Sequence, residues 1–143
     1  MNKEKLKEIL QIILDRLGDK RISWRLDGSA NLLAQGISTD VNDLDIVTNE
    51  EGMNAFQEAL KEFILQEYRS EELQAQTIEI ELEGEDVEVH FYDDEKFQML
   101  DKTKKVKWDG LELPCLPLED AKKFYEMINR SEKVRLIEDN LKR

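Results

Sequence analysis

Residues 77–92, TIEIELEGEDVEVHFY, alternate apolar and polar side chains on either side of a central glycine. Successive side chains of an extended chain point to opposite faces, so this alternation predicts two strands that each bury one face. Gly84 between them permits the tight turn of a hairpin. The chain must therefore form a sheet in which Val87 and Val89 face the core and Glu88 and His90 share the opposite face.

Other periodic segments predict the elements around this hairpin. Apolar residues recur at helical spacing in residues 3–17, 29–34, 52–63, 118–128 and 132–141. Short strands are predicted at 22–26 and 44–47, and the stretch VKWDGLELPCL predicts a second hairpin with Asp109-Gly110 as its turn. We expect a mixed α/β (α+β) fold, in which a mostly antiparallel-hairpin sheet is flanked by helices.

The size and composition of the chain limit its organisation. At 143 residues it is expected to be a single domain, 1–143, with residues 118–143 as a C-terminal helical pair packed on it. The single cysteine, Cys115, excludes an internal disulfide, and no apolar stretch approaches the roughly 18 residues of a membrane span. The expected compartment is the cytoplasm, and no membrane partner is expected.

The net charge of −12 bears on the partners of the protein. An extended nucleic acid is not expected, because phosphate binding needs a broad basic surface. The imbalance is uneven along the chain. Residues 119–143 hold seven basic and six acidic residues, whereas residues 1–118 hold 14 basic and 27 acidic ones. Positive charge therefore gathers near the C-terminal end, either as a solvated helix face or as a local binding patch.

Two aspartates flank one apolar residue in the stretch DVNDLDIV. On a strand, Asp43 and Asp45 would point to the same side and repel each other. A divalent cation reverses this repulsion, and Mg²⁺ prefers a few carboxylates while keeping positions open for phosphate oxygens and water. The alternative is that the aspartates only mark a turn before a strand.

A Gly-Ser pair lies at the start of the predicted helix at 29–34, with Gly28 before the helix and Ser29 as its first residue. Gly28 would let the backbone approach a ligand closely, and Ser29 would offer a hydroxyl to a phosphate oxygen. The alternative role of Ser29 is an ordinary helix cap. Together, a phosphate-binding bend and a metal-binding carboxylate pair fit a nucleoside triphosphate carried with its metal.

A third carboxylate is available in the hairpin. Glu88 would join Asp43 and Asp45 if its strand lies beside theirs; otherwise it is an acidic residue on the wet face of the hairpin. A structural or peripheral role is expected for His90, the only histidine. Cys115 is expected to be a small buried hydrophobic residue rather than a nucleophile.

The stretch WRLDGSANLLAQGISTDVNDLDIVTNEEG resembles the signature of the nucleotidyltransferase superfamily related to DNA polymerase beta. That signature is an apolar residue, Gly with Gly or Ser, about a dozen residues, and Asp-x-Asp in an apolar strand. The chain departs from it at Asp27, which stands where the apolar residue is expected. Glu88, between two valines, matches the placement of the third carboxylate of the superfamily.

The similarity is closest to small stand-alone members, namely the lincosamide and aminoglycoside nucleotidyltransferases and the AbiEii type of toxin. In the latter, a lysine and an arginine seven residues apart occupy a C-terminal helix. Lys123 and Arg130 have that spacing here, and Lys133 follows them.

The resemblance implies a reaction in which an acceptor hydroxyl attacks the α-phosphate of a nucleotide and pyrophosphate leaves. It implies two Mg²⁺ ions on the acidic triad. Each site residue then receives a role. The implied metal ligands are Asp43, Asp45 and Glu88, with Glu88 as third ligand or as base, and the implied nucleotide-binding residues are Gly28, Ser29, Lys123, Arg130 and Lys133.

We therefore expect a Mg²⁺-dependent nucleotidyltransferase that moves a nucleoside monophosphate from a nucleoside triphosphate to a hydroxyl of a small molecule, a protein or a tRNA. The alternatives are a catalytically inactive nucleotide-binding or partner-binding module and a component of a toxin–antitoxin pair. Because only about 25 residues follow Pro117, the acceptor pocket is expected to be shallow, shared between the protomers of a homodimer, or formed by the C-terminal helical pair.

Overall fold

Helices and strands alternate in the first third of the chain, and hairpins follow. The computed structural model describes residues 1–142. Its elements, in chain order, are α1 (Lys3–Leu17), β1 (Trp24–Asp27), α2 (Gly28–Ala34), β2 (Leu44–Thr48), α3 (Glu50–Ala59), β3 (Ile64–Ser70), β4 (Ala75–Leu82), β5 (Glu85–Tyr92), α4 (Glu95–Gln98), β6 (Lys104–Trp108), β7 (Leu111–Cys115), α5 (Leu118–Met127) and α6 (Ser131–Leu141). Short 3₁₀ turns follow α3 at Lys61–Phe63 and α4 at Leu100–Lys102.

The main sheet has five strands in the order β1-β2-β5-β4-β3. Strands β2 and β5 run parallel, and the other neighbours run antiparallel. Strands β6 and β7 form a separate hairpin that packs beside β1. The predicted mixed α/β (α+β) fold is confirmed, with one parallel pairing inside a mostly antiparallel sheet.

The two predicted hairpins form with the predicted turns. Glu83 and Gly84 connect β4 to β5, and Asp109 and Gly110 connect β6 to β7. All four of these residues have positive φ angles, between 49° and 85°. Two consecutive residues with positive φ are the mark of a type I′ turn, whose twist matches that of the strands it joins.

Each face of the main sheet carries its own apolar cluster. On one face, Leu44, Ile46, Val87 and Val89 pack with the buried stripe of α1 and with α3. On the other face, Val47 and Tyr92 pack with residues of α2, α5 and α6, among them Leu32, Phe124 and Ile137. The second cluster covers only part of its face, so the acidic residues of that face remain open to solvent.

Three local predictions need correction. Strand β3 was not predicted from the sequence, because it is an edge strand whose interior residues are all exposed and show no apolar alternation. The helix predicted at 52–63 begins at Glu50 and ends at Ala59, before a 3₁₀ turn. Asp43 was predicted to lie on a strand, but β2 begins at Leu44 and Asp43 lies in the bend before it.

The C-terminal segment forms helices close to the predicted ones, α5 and α6, joined by a short turn. Arg143, the last residue of the predicted pair, lies outside the described residues. Within residues 1–142, none of the helices combines the length and apolar character that a membrane crossing requires.

A buried asparagine fastens α2 to the end of β7. Asn31 Nδ2 donates to Leu116 O at 3.0 Å, and Leu116 N donates to Asn31 Oδ1 at 2.9 Å. Gln35 Nε2 also donates to Leu116 O, at 2.7 Å. These bonds fix the short helix whose first two residues are Gly28 and Ser29.

Asn31→Ala should lower the free energy of unfolding by about 1–3 kcal/mol, because the buried Leu116 N–H loses its acceptor. Urea denaturation measures this loss. Gln35→Ala is the matched control and should cost less, since Leu116 O keeps its bond from Asn31. Equal losses for the two variants would contradict the assigned role of Asn31.

Cys115 should be chemically inert in the folded protein. Its side chain is fully buried, and burial raises the pKa of the thiol to about 12, so little thiolate exists at pH 8. A dithionitrobenzoate reagent should not label the native protein and should label one thiol per chain after unfolding in guanidinium. Rapid labelling of the native protein would contradict this burial.

Candidate active site

Three carboxylates lie side by side on the partly open face of the sheet. Asp27 of β1 pairs with Asp45 of β2, and Asp45 is in register with Glu88 of β5. Cross-strand partners point to the same face, so the three side chains form one row. The row continues on β4, where Glu79 pairs with Glu88. The predicted meeting of Asp45 and Glu88 therefore depends on the parallel pairing of β2 with β5.

His90 lies next to this row. Its Nε2 is 3.4 Å from Glu88 Oε2 and 3.7 Å from Asp45 Oδ1, and its Nδ1 is 3.0 Å from Thr77 Oγ1. Burial lowers the pKa of His90, but the two carboxylates outweigh burial and raise it to about 9. The imidazole therefore carries a proton at neutral pH and offsets part of the negative charge. The sequence predicted a structural or peripheral role for His90, and the structure puts its ring in contact with both carboxylates.

The carboxylates respond differently to this environment. Burial raises the pKa of Asp45, and the nearby Asp27 and Glu88 add to that rise against the opposing effect of His90. Contact with His90 holds the pKa of Glu88 below its usual value, although burial opposes it. An added cation would favour the ionised form of both side chains.

The donor set fits a metal ion. One ligand atom each from Asp45, Glu88 and His90 lies within 4.8 Å of the others, so this group could hold a cation. His90 would have to lose its proton to act as a ligand, so the two carboxylates are the ligands available at neutral pH. Gly28 lies against it with a positive φ of 61°, and a Cβ built there would approach Asp45 Oδ2 to 2.9 Å. Any side chain at position 28 would therefore crowd the carboxylate as well as strain the backbone.

A cavity of about 260 Å³ opens above the row. Ser29 and Lys133 lie on its wall, where Lys133 Nζ donates to Ser29 Oγ at 2.9 Å. Arg130 also lines it, and Arg130 Nε donates to Glu132 Oε1 at 2.6 Å. The cavity is thus acidic on the side of the sheet and basic on the side of α6. The predicted site residues that line it are Gly28, Ser29, Asp45, Glu88, Arg130 and Lys133.

Two predicted site residues lie elsewhere. Lys123 is exposed on α5, away from the lining of this cavity. Asp43 lines a second, smaller cavity of about 120 Å³ together with Glu79, Asp86 and Glu88. Partial desolvation and then the Asp86 and Glu88 carboxylates raise the pKa of Asp43. Glu88 is therefore the acidic residue that lines both cavities.

Arg25 is a site-supporting residue that the sequence analysis did not identify. It is fully buried, with Nε donating to Gln98 O at 2.7 Å, Nη2 donating to Phe97 O at 3.2 Å and Nη1 lying 3.4 Å from Asp27 Oδ1. Its guanidinium also lies over the Phe124 ring at 5.3 Å. Arg25 thus joins β1, α4 and α5 beneath the cavity. The departure from the family signature at Asp27 was the available signal, because a carboxylate there needs a partner.

Three aromatic rings line the cavity near this arginine. Tyr92 and Phe124 have ring centroids 6.0 Å apart, and Phe124 and Tyr125 have theirs 5.7 Å apart. All three rings line the cavity. The cavity is therefore lined by charged side chains and by an apolar wall of aromatic rings.

Comparisons with known proteins agree with this geometry. The sequence model of the family described as aminoglycoside-2''-adenylyltransferase matches residues 9–139. No curated protein matches the sequence. Among solved structures, TM1012 of Thermotoga maritima, for which a nucleotidyltransferase activity is predicted, is 25% identical with a TM-score of 0.77, over 99% of this chain and 96% of that one.

Two antibiotic-modifying enzymes share the fold at lower identity. ANT(2'')-Ia, solved in complex with adenylyl-2''-tobramycin, is 14% identical with a TM-score of 0.62, over 96% of this chain and 90% of that one. The lincosamide antibiotic adenylyltransferase LnuA, solved with lincomycin bound, is 13% identical with a TM-score of 0.64, over 96% and 97%. The predicted resemblance to aminoglycoside and lincosamide nucleotidyltransferases is confirmed. Because the family match covers most of the chain, the protein belongs to the aminoglycoside-2''-adenylyltransferase family and is an enzyme that transfers a nucleotide to an acceptor.

Proposed function

We propose that the protein transfers the adenylyl group of ATP, in a Mg²⁺-dependent reaction, to a hydroxyl of a small cationic molecule. One observation carries the proposal: Asp45 and Glu88 stand in register beneath a cavity whose opposite wall holds Ser29 and Lys133. Carboxylates for a metal and donors for phosphates thus face one space. The choice of ATP is supported by the adenylyltransferases among the matched family and structures.

The triphosphate would lie along the basic wall. Lys133 donates a hydrogen bond to the Ser29 hydroxyl. Phosphate oxygens can replace this bond by accepting from both side chains. Arg130 pairs with the exposed Glu132, and an exposed ion pair is weak enough to exchange for a phosphate. Lys123 would act only from a distance, since it is exposed on α5.

The metal would lie at the acidic row. Asp45 and Glu88 would hold Mg²⁺ through carboxylate oxygens. Asp43, which lines the smaller cavity in the bend before β2, would complete the predicted triad only by turning toward Asp45. When bound there, Mg²⁺ supplies positive charge that stabilises the attacking and leaving oxygens, and the family resemblance favours two ions. His90 stays hydrogen-bonded to Thr77 and keeps the carboxylates oriented.

Glu88 is our candidate for the general base. It lines both cavities, so it lies between the nucleotide and the space that Asp43 and Asp86 surround. The contact with His90 lowers the pKa of Glu88, which keeps the carboxylate ionised before the acceptor arrives but also makes it a weaker base. In the proposed step the acceptor oxygen bonds to the α-phosphorus, its proton passes to Glu88, and the bond to the β-phosphate breaks to release pyrophosphate.

The acceptor is proposed to be cationic because of the charge around Glu88. Asp43, Glu79 and Asp86 surround the smaller cavity, and the whole chain has a net charge of −12. A polyanion such as tRNA would be repelled by this surface, whereas a molecule with amino groups would be attracted. The structural neighbours solved with adenylyl-tobramycin and with lincomycin support a small-molecule acceptor.

Asp45→Asn and Glu88→Gln should each weaken the binding of the Mg²⁺ complex of α,β-methylene-ATP by roughly tenfold or more, because each removes a metal ligand. Isothermal titration measures this effect. Glu81→Gln, the same charge change at an exposed position of β4, is the control and should leave binding unchanged. Equal binding by wild type and both site variants would contradict the proposed function.

Acceptor charge should decide activity. With radiolabelled ATP and Mg²⁺, label should pass to an aminoglycoside and not to an uncharged disaccharide of similar size. Asp86→Asn should raise the KM for the cationic acceptor several-fold and leave the KM for ATP unchanged, because Asp86 lines only the smaller cavity. Equal transfer to the neutral sugar would contradict a cationic acceptor.

The other expected roles stay predictions. They are an inactive nucleotide-binding or partner-binding module, a toxin–antitoxin component, a homodimer and a cytoplasmic location. Loss of nucleotide transfer in the Glu88 variant, with transfer in the wild type, would exclude the inactive module.

A further inference from the structure

We propose that Leu73, at the tip of the β3–β4 hairpin, contacts the nucleobase and so contributes to the choice of nucleotide. This inference rests on the proposed function, because it assigns one part of the same ligand. Leu73 lies in the turn between Ser70 and Ala75 and lines the 260 Å³ cavity.

Leu73 is one of several large apolar side chains that are more than a third exposed in the part of the chain that the structure describes, and it is the one of them that lines the 260 Å³ cavity. Hairpin turns favour small and polar residues, yet this large apolar side chain stands at the tip and is 37% exposed. Of the two apolar clusters formed within residues 1–142, neither includes it. Its side chain is therefore not held in either cluster, and its place on the cavity wall puts it within reach of an apolar part of a ligand there.

The hairpin tip is held in place by polar contacts. Arg69 donates to both oxygens of Asp93, through Nη1 at 3.0 Å and Nη2 at 2.5 Å. Asp93 N donates to Gln74 O at 3.0 Å, and Leu73 N donates to Ser70 Oγ at 3.2 Å. These contacts tie the turn to the end of β5 and hold Leu73 at the cavity. Ligand binding therefore does not have to supply the conformational entropy of ordering this turn.

The nucleobase is the part of the ligand that fits this wall. Phosphates are drawn to Ser29 and Lys133, which leaves the base as the flat, uncharged portion of a nucleotide. Tyr125 and Ile128 add apolar surface to the same cavity. The acceptor is assigned to the far side of Glu88, so the nucleotide is the ligand expected in the 260 Å³ cavity.

The test compares two probes on one variant. Leu73→Ala should weaken binding of the Mg²⁺ complex of α,β-methylene-ATP by about fivefold to tenfold, at the lower end of what base contacts contribute. Binding of inorganic tripolyphosphate with Mg²⁺, which has no base, should not change. Leu65→Ala removes an equally large side chain that is 60% exposed on the same hairpin and outside the cavity, and it should leave both affinities unchanged.

Leu73→Met keeps an apolar side chain of similar size and should bind the nucleotide as the wild type does. Unchanged tripolyphosphate binding by Leu73→Ala shows that the alanine variant is folded. Unchanged nucleotide binding by Leu73→Ala would overturn the inference, as would an equal loss for tripolyphosphate. A raised KM for the acceptor with an unchanged KM for ATP would also overturn it. Failure of the wild type to bind the nucleotide would instead refute the proposed function, and this inference with it.

Discussion

The parallel pairing of β2 with β5 is the constraint on which the site depends. It places Asp45 beside Glu88, two residues that are 43 positions apart in the chain. A shift of one residue would turn Glu88 to the opposite face of the sheet. The register is fixed from that opposite face, where Ile46 and Val89 pair and are fully buried. Packing of the core on one side therefore determines the chemistry on the other.

This arrangement is electrostatically unfavourable by itself. Asp27, Asp45 and Glu88 concentrate negative charge in one row, and burial, followed by the two neighbouring carboxylates, raises the pKa of Asp45. The fold offsets the cost with cations from different elements. Arg25 lies below Asp27, and His90 contacts both other carboxylates. Binding of a metal would replace part of this internal compensation, so the positions that weaken the fold are the ones that serve a ligand.

Sequence patterns predicted the parts of the site that depend on local order. Alternation alone put Glu88 and His90 on one face, and Gly28 and Ser29 lie at the start of α2, close to the predicted helix start at Ser29. The position of a helix end, which hydrophobic periodicity does not fix, decided which of the predicted basic residues reaches the cavity. Lys123 and Arg130, seven residues apart, would share a face on one continuous helix, but the helix ends before Asn129, whose φ of 59° reverses the chain.

Because α5 ends at Met127, the sheet and the turns contribute different parts of the site. The sheet holds the carboxylates in a register that the core fixes, and such positions tolerate little change. The turn at 128–130 brings Ile128 and Arg130 to the cavity, and the β3–β4 turn brings Leu73. Neither turn contributes to pairing of β2 with β5, so substitutions there can alter what is bound without displacing Asp45 or Glu88. Differences in substrate among proteins of this fold are therefore expected first in these two turns.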